Sequence, residues 1–166
     1  MQQQAQKDQF IYLIQQNKKL IFKVCNAYCH NPEDRKDLVQ EIIIHLWQSF
    51  HKYDNRFKLS TWMYRIAINT AISHYRASSK KQKVTVSIHD SLIDIADETN
   101  VELDENIKLL YHFINQFNDL NKALMILYLD NNSYKDIAEI LGISETNVAT
   151  KVNRLKLQLK QQFKKL

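Results

Sequence analysis

Asn147, Thr150, Lys151 and Arg154 recur at three- and four-residue steps, the spacing that lines side chains along one helical face. Their chemistry suits a DNA duplex: Arg bridges guanine O6 and N7, Asn pairs with adenine, and Thr and Lys reach bases or phosphates. Ser144 and Thr146 extend the set toward its beginning. The elements that must hold these groups are written just before them. Ser133 can cap a helix with Asp136 in its opening turn and Ile137, Ala138, Ile140 and Leu141 turned inward. Gly142, the only glycine in the chain, sits where a sharp turn needs positive φ, and Ile143 can plug the corner. Ser144 then caps a second helix with Val148, Val152, Leu155 and Leu159 on one stripe, opposite the polar set. The stretch predicts a helix-turn-helix whose second helix enters a major groove. An amphipathic helix pair with a solvated face has the same periodicity, but two caps, the glycine and a basic second helix coincide here.

A second set of groups suits single-stranded nucleic acid. Trp62, Arg65, Asn69, Ile72 and Arg76 share a face, with Tyr64, Ile68 and Tyr75 beside them. Bases stack on rings while guanidinium groups hold phosphates, and a captured base offsets the cost of unstacking it. Met63, Ile66, Ala67, Thr70 and Ala71 already provide a core face for this helix. A third set suits a protein partner. Asp37, Gln40, Glu41, Ile44 and Gln48 form a stripe that Asp34 extends by one turn, while Leu38, Val39, Ile42, Ile43, Leu46 and Trp47 supply the core. Acids near a helix start also favour the helix dipole and otherwise face water, which is the better reading of Asp34 taken alone. Ile44, apolar amid the polar stripe, points to an interface.

Composition sets the frame. One Pro and one Gly in 166 residues leave too few turn signals for a sheet protein, and the dominant period is helical, so an all-α fold is expected. The net charge of +5 is moderate; its distribution says more. From Ser144 to Leu166 the cations Lys151, Arg154, Lys156, Lys160, Lys164 and Lys165 face the single anion Glu145. Cys25 and Cys29 lie four apart near His30, but no second ligand pair at structural-zinc spacing follows, so they read as buried helix thiols rather than a metal site. Two thiols without a disulfide framework fit a reducing cytosol. No apolar run approaches membrane-spanning length, and the Gln-rich start lacks the apolar core of a signal peptide, so a cytoplasmic chain without stable membrane insertion is expected. No phosphate loop, nucleophile-base pair or ligand cluster occurs, so neither catalysis nor a cofactor is expected.

Along the chain, a first helix is expected around Asp8 to Tyr28, burying Phe10, Leu13, Ile14, Ile21, Val24, Cys25 and Tyr28. Asn31-Pro32-Glu33 starts a second that runs to about Ser49, and Ser60-Thr61 caps a third that runs to about Arg76. These three make a front domain, 1–76. Residues 77–104 lose the period, turn acidic and read as a linker, in which Ile88, Leu92, Ile93 and Ile95 could dock transiently on another surface. Helical pattern returns from Glu105 with Leu109, Leu110, Phe113, Phe117, Leu120, Leu124, Leu127 and Tyr128, giving a back domain, 105–166.

Three stretches together resemble the bacterial RNA polymerase sigma factors of the sigma-70 family, specifically the small extracytoplasmic-function (ECF) group. They are Asp34 through Trp47 (DRKDLVQEIIIHLW), Phe57 through Asn69 (FKLSTWMYRIAIN) and the helix-turn-helix from Ser133. The resemblance implies that the front domain is sigma region 2, the back domain sigma region 4, and the larger optional domains of the family are missing. It implies that Asp34, Asp37, Gln40, Glu41 and Ile44 bind core RNA polymerase. Phe57, Lys58, Ser60, Trp62, Tyr64, Arg65, Asn69 and Arg76 would recognise and open the minus-ten promoter element. Ser144, Thr146, Asn147, Thr150, Lys151 and Arg154 would read the minus-thirty-five element as duplex. The acidic linker would thread through the polymerase, and an anti-sigma partner is implied by the group. Two departures stand out: Phe117-Asn-Asp-Leu-Asn121 replaces a usual Leu-Pro turn, and Asn153 replaces a more commonly basic residue. The rival readings are a stand-alone helix-turn-helix regulator, which typically reads paired half-sites as a dimer, and a helical protein-interaction module.

Overall fold

The computed structural model describes residues 1–79 and 105–166, and among them every regular element is a helix. In chain order these are α1 (Gln2–Tyr28), α2 (Pro32–Phe50), α3 (Leu59–Ser79), α4 (Glu105–Asn115), α5 (Asp119–Leu129), α6 (Tyr134–Leu141) and α7 (Glu145–Lys164). The chain divides into two compact units, Met1–Lys83 and Val84–Leu166. The expected linker begins inside α3, whose helix carries through Ser79; Ile88, Leu92, Ile93 and Ile95 lie outside the described residues.

In the first unit α1, α2 and α3 pack pairwise around one core. α1 starts at Gln2, six residues before the expected Asp8. Gln, Ala and Lys are good helix formers, and the first nine residues stay exposed, so propensity extends this helix where no apolar period marks it. α2 starts as expected: the Asn31 side-chain oxygen accepts from the N–H groups of Glu33 and Asp34 at 2.9 and 3.3 Å. Arg35 then donates back to the carbonyls of Cys29 and His30, both at 3.2 Å, tying the end of α1 to the start of α2. Leu38, Ile42 and Leu46 are fully buried, each contributing about 1.5 to 3 kcal/mol by apolar burial. Cys25 and Cys29 are both buried, and burial, with the neighbouring Cys29 thiol adding to it, pushes the Cys25 thiol up to about 12.

Two expectations for α3 need correction. The helix begins at Leu59, and the Lys58 carbonyl already accepts the Trp62 N–H at 3.1 Å, so Ser60 and Thr61 lie inside the first turn rather than capping it. The preceding loop brings the chain in early, with the Tyr53 hydroxyl donating to the Phe57 carbonyl at 3.1 Å, Arg56 bonded to Asp54, and Asn55 at φ +62°. Tyr64 and Ile68 are each only 2% exposed and belong to the core instead of the outer face. A helix gripped by two others buries a wide arc; at about 100° per residue Tyr64 falls between the buried Ala71 and Ile68, inside it.

In the second unit α7 packs against α4, α5 and α6, and α5 against α4 and α6. Asn118 resolves the departure at Phe117 to Asn121: its side-chain oxygen accepts the Asn121 N–H at 2.9 Å, capping α5 without a proline. Ser133 caps α6 through the Asp136 N–H at 3.0 Å, and Ser144 caps α7 through the Asn147 N–H at 3.1 Å, each cap worth about 1 kcal/mol. Gly142 ends α6 at φ +69°, and the N–H groups of Gly142 and Ile143 both donate to the Ala138 carbonyl. A Cβ at Gly142 would meet nothing within 4 Å, so Gly142→Ala is expected to cost only the left-handed backbone strain, about 1 kcal/mol, with Gly142→Asn losing less. Denaturant unfolding of the two variants measures this directly.

Candidate nucleic-acid interface

α7 separates its faces cleanly. Val148, Val152, Leu155 and Leu159 are buried, while Ser144, Thr146, Asn147, Thr150 and Arg154 are exposed and Lys151 is half-buried. Two hydroxyls are partly committed. Ser144 accepts in its cap, and Thr150 donates to the Thr146 carbonyl at 3.0 Å, which leaves the Thr150 oxygen as an acceptor and its methyl for apolar contact. Asn147, Lys151 and Arg154 are therefore the groups best placed to donate to base edges or phosphates. Asn153 is exposed beside them.

On α3 the outer strip consists of Trp62, Arg65, Asn69 and Arg76, with Ile72 half-buried and Tyr75 exposed at one side. Trp62 has two roles. Its ring lies 5.1 Å from Tyr53 and 6.4 Å from Phe50, the end of an aromatic series that reaches Phe10 and Trp47, yet the residue is only half-buried. It fastens the loop between α2 and α3 while keeping part of its surface outward. Phe57 is 39% exposed, and the Arg65 guanidinium sits over its ring at 5.6 Å, so the loop and strip join. Lys58 is exposed and Ser60 half-buried, while Tyr64 and Ile68 are enclosed by the core.

On α2, Asp34, Asp37, Gln40 and Ile44 are exposed, Ile44 at 52% despite its aliphatic side chain. Glu41 is half-buried, with its Oε2 3.0 Å from Nδ1 of His74 on α3. One turn along, His45 Nδ1 meets Thr70 Oγ1 at 2.9 Å, giving the otherwise buried Thr70 hydroxyl its partner. Neither contact is legible from periodicity, because each joins residues on different helices. A groove of about 500 Å³ in the second unit is lined by Leu110, Met125, Leu159 and Phe163 together with Lys156, Lys160 and Lys164, residues of three helices that periodicity does not join.

Residues 13–81 match the family model of sigma-70 region 2, and residues 107–159 match that of sigma-70 region 4. The RNA polymerase sigma factor YlaC of Bacillus subtilis is 30% identical over 140 residues, covering 82% of this chain and 81% of that protein. The chain belongs to the sigma-70 family of RNA polymerase sigma factors. Its place in the ECF group follows from further relatives such as the ECF RNA polymerase sigma factor SigM of B. subtilis, 27% identical over 126 residues and covering 75% of this chain and 77% of that one. The fold agrees: the solved structure of the sigma factor RpoE in complex with the anti-sigma factor NepR from Bartonella quintana has a TM-score of 0.66 at 18% identity, covering 92% of this chain and 96% of that one. In this sigma factor the region 2 match contains both the α2 stripe and the α3 strip, and the region 4 match contains α6, the turn and the exposed face of α7. Among the described residues no helix is long and apolar enough to cross a membrane.

Proposed function

We propose that this sigma factor joins bacterial core RNA polymerase through Asp34, Asp37, Gln40, Glu41 and Ile44 on α2 and directs it to promoters. α7 reads the minus-thirty-five element as duplex through Asn147, Lys151 and Arg154, with Ser144, Thr146 and Thr150 at its margin. The α3 strip and its loop, Phe57, Lys58, Ser60, Trp62, Arg65, Asn69 and Arg76, capture unpaired bases of the minus-ten element. Tyr64, enclosed in the core, acts by supporting the strip. The observation that carries this reading is the α3 strip itself: aromatic and cationic groups stay outward on a helix whose core face is already filled. A stand-alone duplex-binding regulator would have no use for that strip.

The protein works in the cytoplasm and catalyses nothing itself; the polymerase supplies the chemistry, and captured bases set their binding energy against lost pairing. A dedicated anti-sigma protein holds it inactive, as NepR is found in complex with its RpoE relative. Replacing Lys151 and Arg154 by Ala tests the duplex-reading role. Loss of a good bidentate base contact costs about 1 to 3 kcal/mol, so upstream footprints of the mutant holoenzyme should weaken while core binding stays unchanged. Wild-type upstream protection by the double variant would remove α7 as the reader.

A further inference from the structure

We infer that His74 is a positioning residue for the polymerase-binding face, holding the Glu41 carboxylate in the orientation in which it meets the partner. The inference rests on the α2 stripe reading above. An ionised carboxylate only accepts hydrogen bonds, so at 3.0 Å from Glu41 Oε2 the Nδ1 of His74 must carry the proton. The Glu41 side chain is 41% exposed and that of His74 22%, which places the contact at the rim of the α2–α3 seam, with the carboxylate still accessible. A carboxylate offers two oxygens, and fixing one leaves the other to accept from a partner.

The contact is part of a register. Glu41 pairs with His74 and His45 with Thr70, four residues on along α2 and four back along α3. Thr70 is buried, so the second contact locks the helices at depth while His74 carries the same register out to the surface. A free glutamate on an exposed helix samples several rotamers and loses them when it binds; one already held loses less, and the saving is recovered as affinity. His74 therefore acts through Glu41 without touching the partner itself.

The test is core-polymerase affinity of the full chain in a four-variant cycle: wild type, His74→Leu, Glu41→Ala and the pair combined, with thermal unfolding of each as the measure of fold. His74→Leu should weaken core binding by about threefold to tenfold, the range expected when one interface side chain must be ordered on binding instead of beforehand. In the Glu41→Ala background the same change should have no further effect, which a general loss of stability would not produce. His74→Asn, whose amide nitrogen lies near the Nδ1 position, should return affinity to within about twofold of wild type. A full-sized His74→Leu loss in the absence of Glu41, or wild-type affinity of His74→Leu while Glu41→Ala binds weakly, would overturn the positioning role. Wild-type affinity of Glu41→Ala would instead remove the stripe reading, and the role of His74 with it.

Discussion

Reversing Asp37 and Glu41 to Lys is expected to abolish most co-elution with core RNA polymerase while leaving the chain helical. Asp37 is exposed and Glu41 half-buried, and the α2 core is made by Leu38, Ile42 and Leu46 on the other side, so packing is not the target. The fold loses the His74 contact, worth about 1 kcal/mol. The interface loses far more, because like charges brought together there cost several kcal/mol, roughly a hundredfold or more in affinity. Circular dichroism and size-exclusion with core polymerase separate the two effects. Unchanged co-elution of a folded double variant would refute the assignment of this face.

Trp62→Ala combined with Asn69→Ala should leave core binding nearly intact and sharply reduce open-complex formation. Each aromatic stack on a base is worth about 1 to 3 kcal/mol, and Asn69, exposed on the same strip, adds polar contacts to the extruded base. The packing of Trp62 on Tyr53 and Phe50 means that the alanine also loosens the loop. A premelted promoter separates these causes. If the deficit is in opening, a bubble template restores part of the activity, since the pairing cost has already been removed; a damaged loop would be equally poor on both templates. Permanganate reactivity of unpaired thymines on closed and premelted templates reports the difference, and normal opening by a folded, core-bound variant would remove α3 as the melting site.

What was legible in the sequence was whatever local chemistry writes. Asn31, Ser133 and Ser144 each announce a helix start through their own side-chain oxygen, and Gly142 announces a stop through the one backbone region that other residues enter at a cost. The stripe Val148, Val152, Leu155, Leu159 likewise separates the inner face of α7 from its outer one. What was not legible depends on three dimensions. Periodicity places Tyr64 at the edge of a one-sided amphipathic helix, and only a helix gripped by two partners encloses it. Lys122, 6% exposed, is a cation inside a core helix; burial lowers its pKa, with the charge of Asp119 working the other way. The Glu41–His74 and His45–Thr70 contacts span two helices and become visible only when α2 and α3 are set in register. Ser60 and Thr61 mimic a cap because their residue types suit one, but the loop closed by Tyr53 and Phe57 starts the helix before them.

Mixing the pure chain with bacterial core RNA polymerase and genomic DNA, then mapping transcript starts, measures whether this chain directs the polymerase to promoters. The expected result is a set of starts absent from core polymerase alone, sharing two short upstream motifs, one at the duplex position read by α7 and one at the melted position held by α3. The Asp37 and Glu41 reversals should eliminate the whole set. No new starts with an active core enzyme, or starts that persist undiminished with the reversed stripe, would contradict that role.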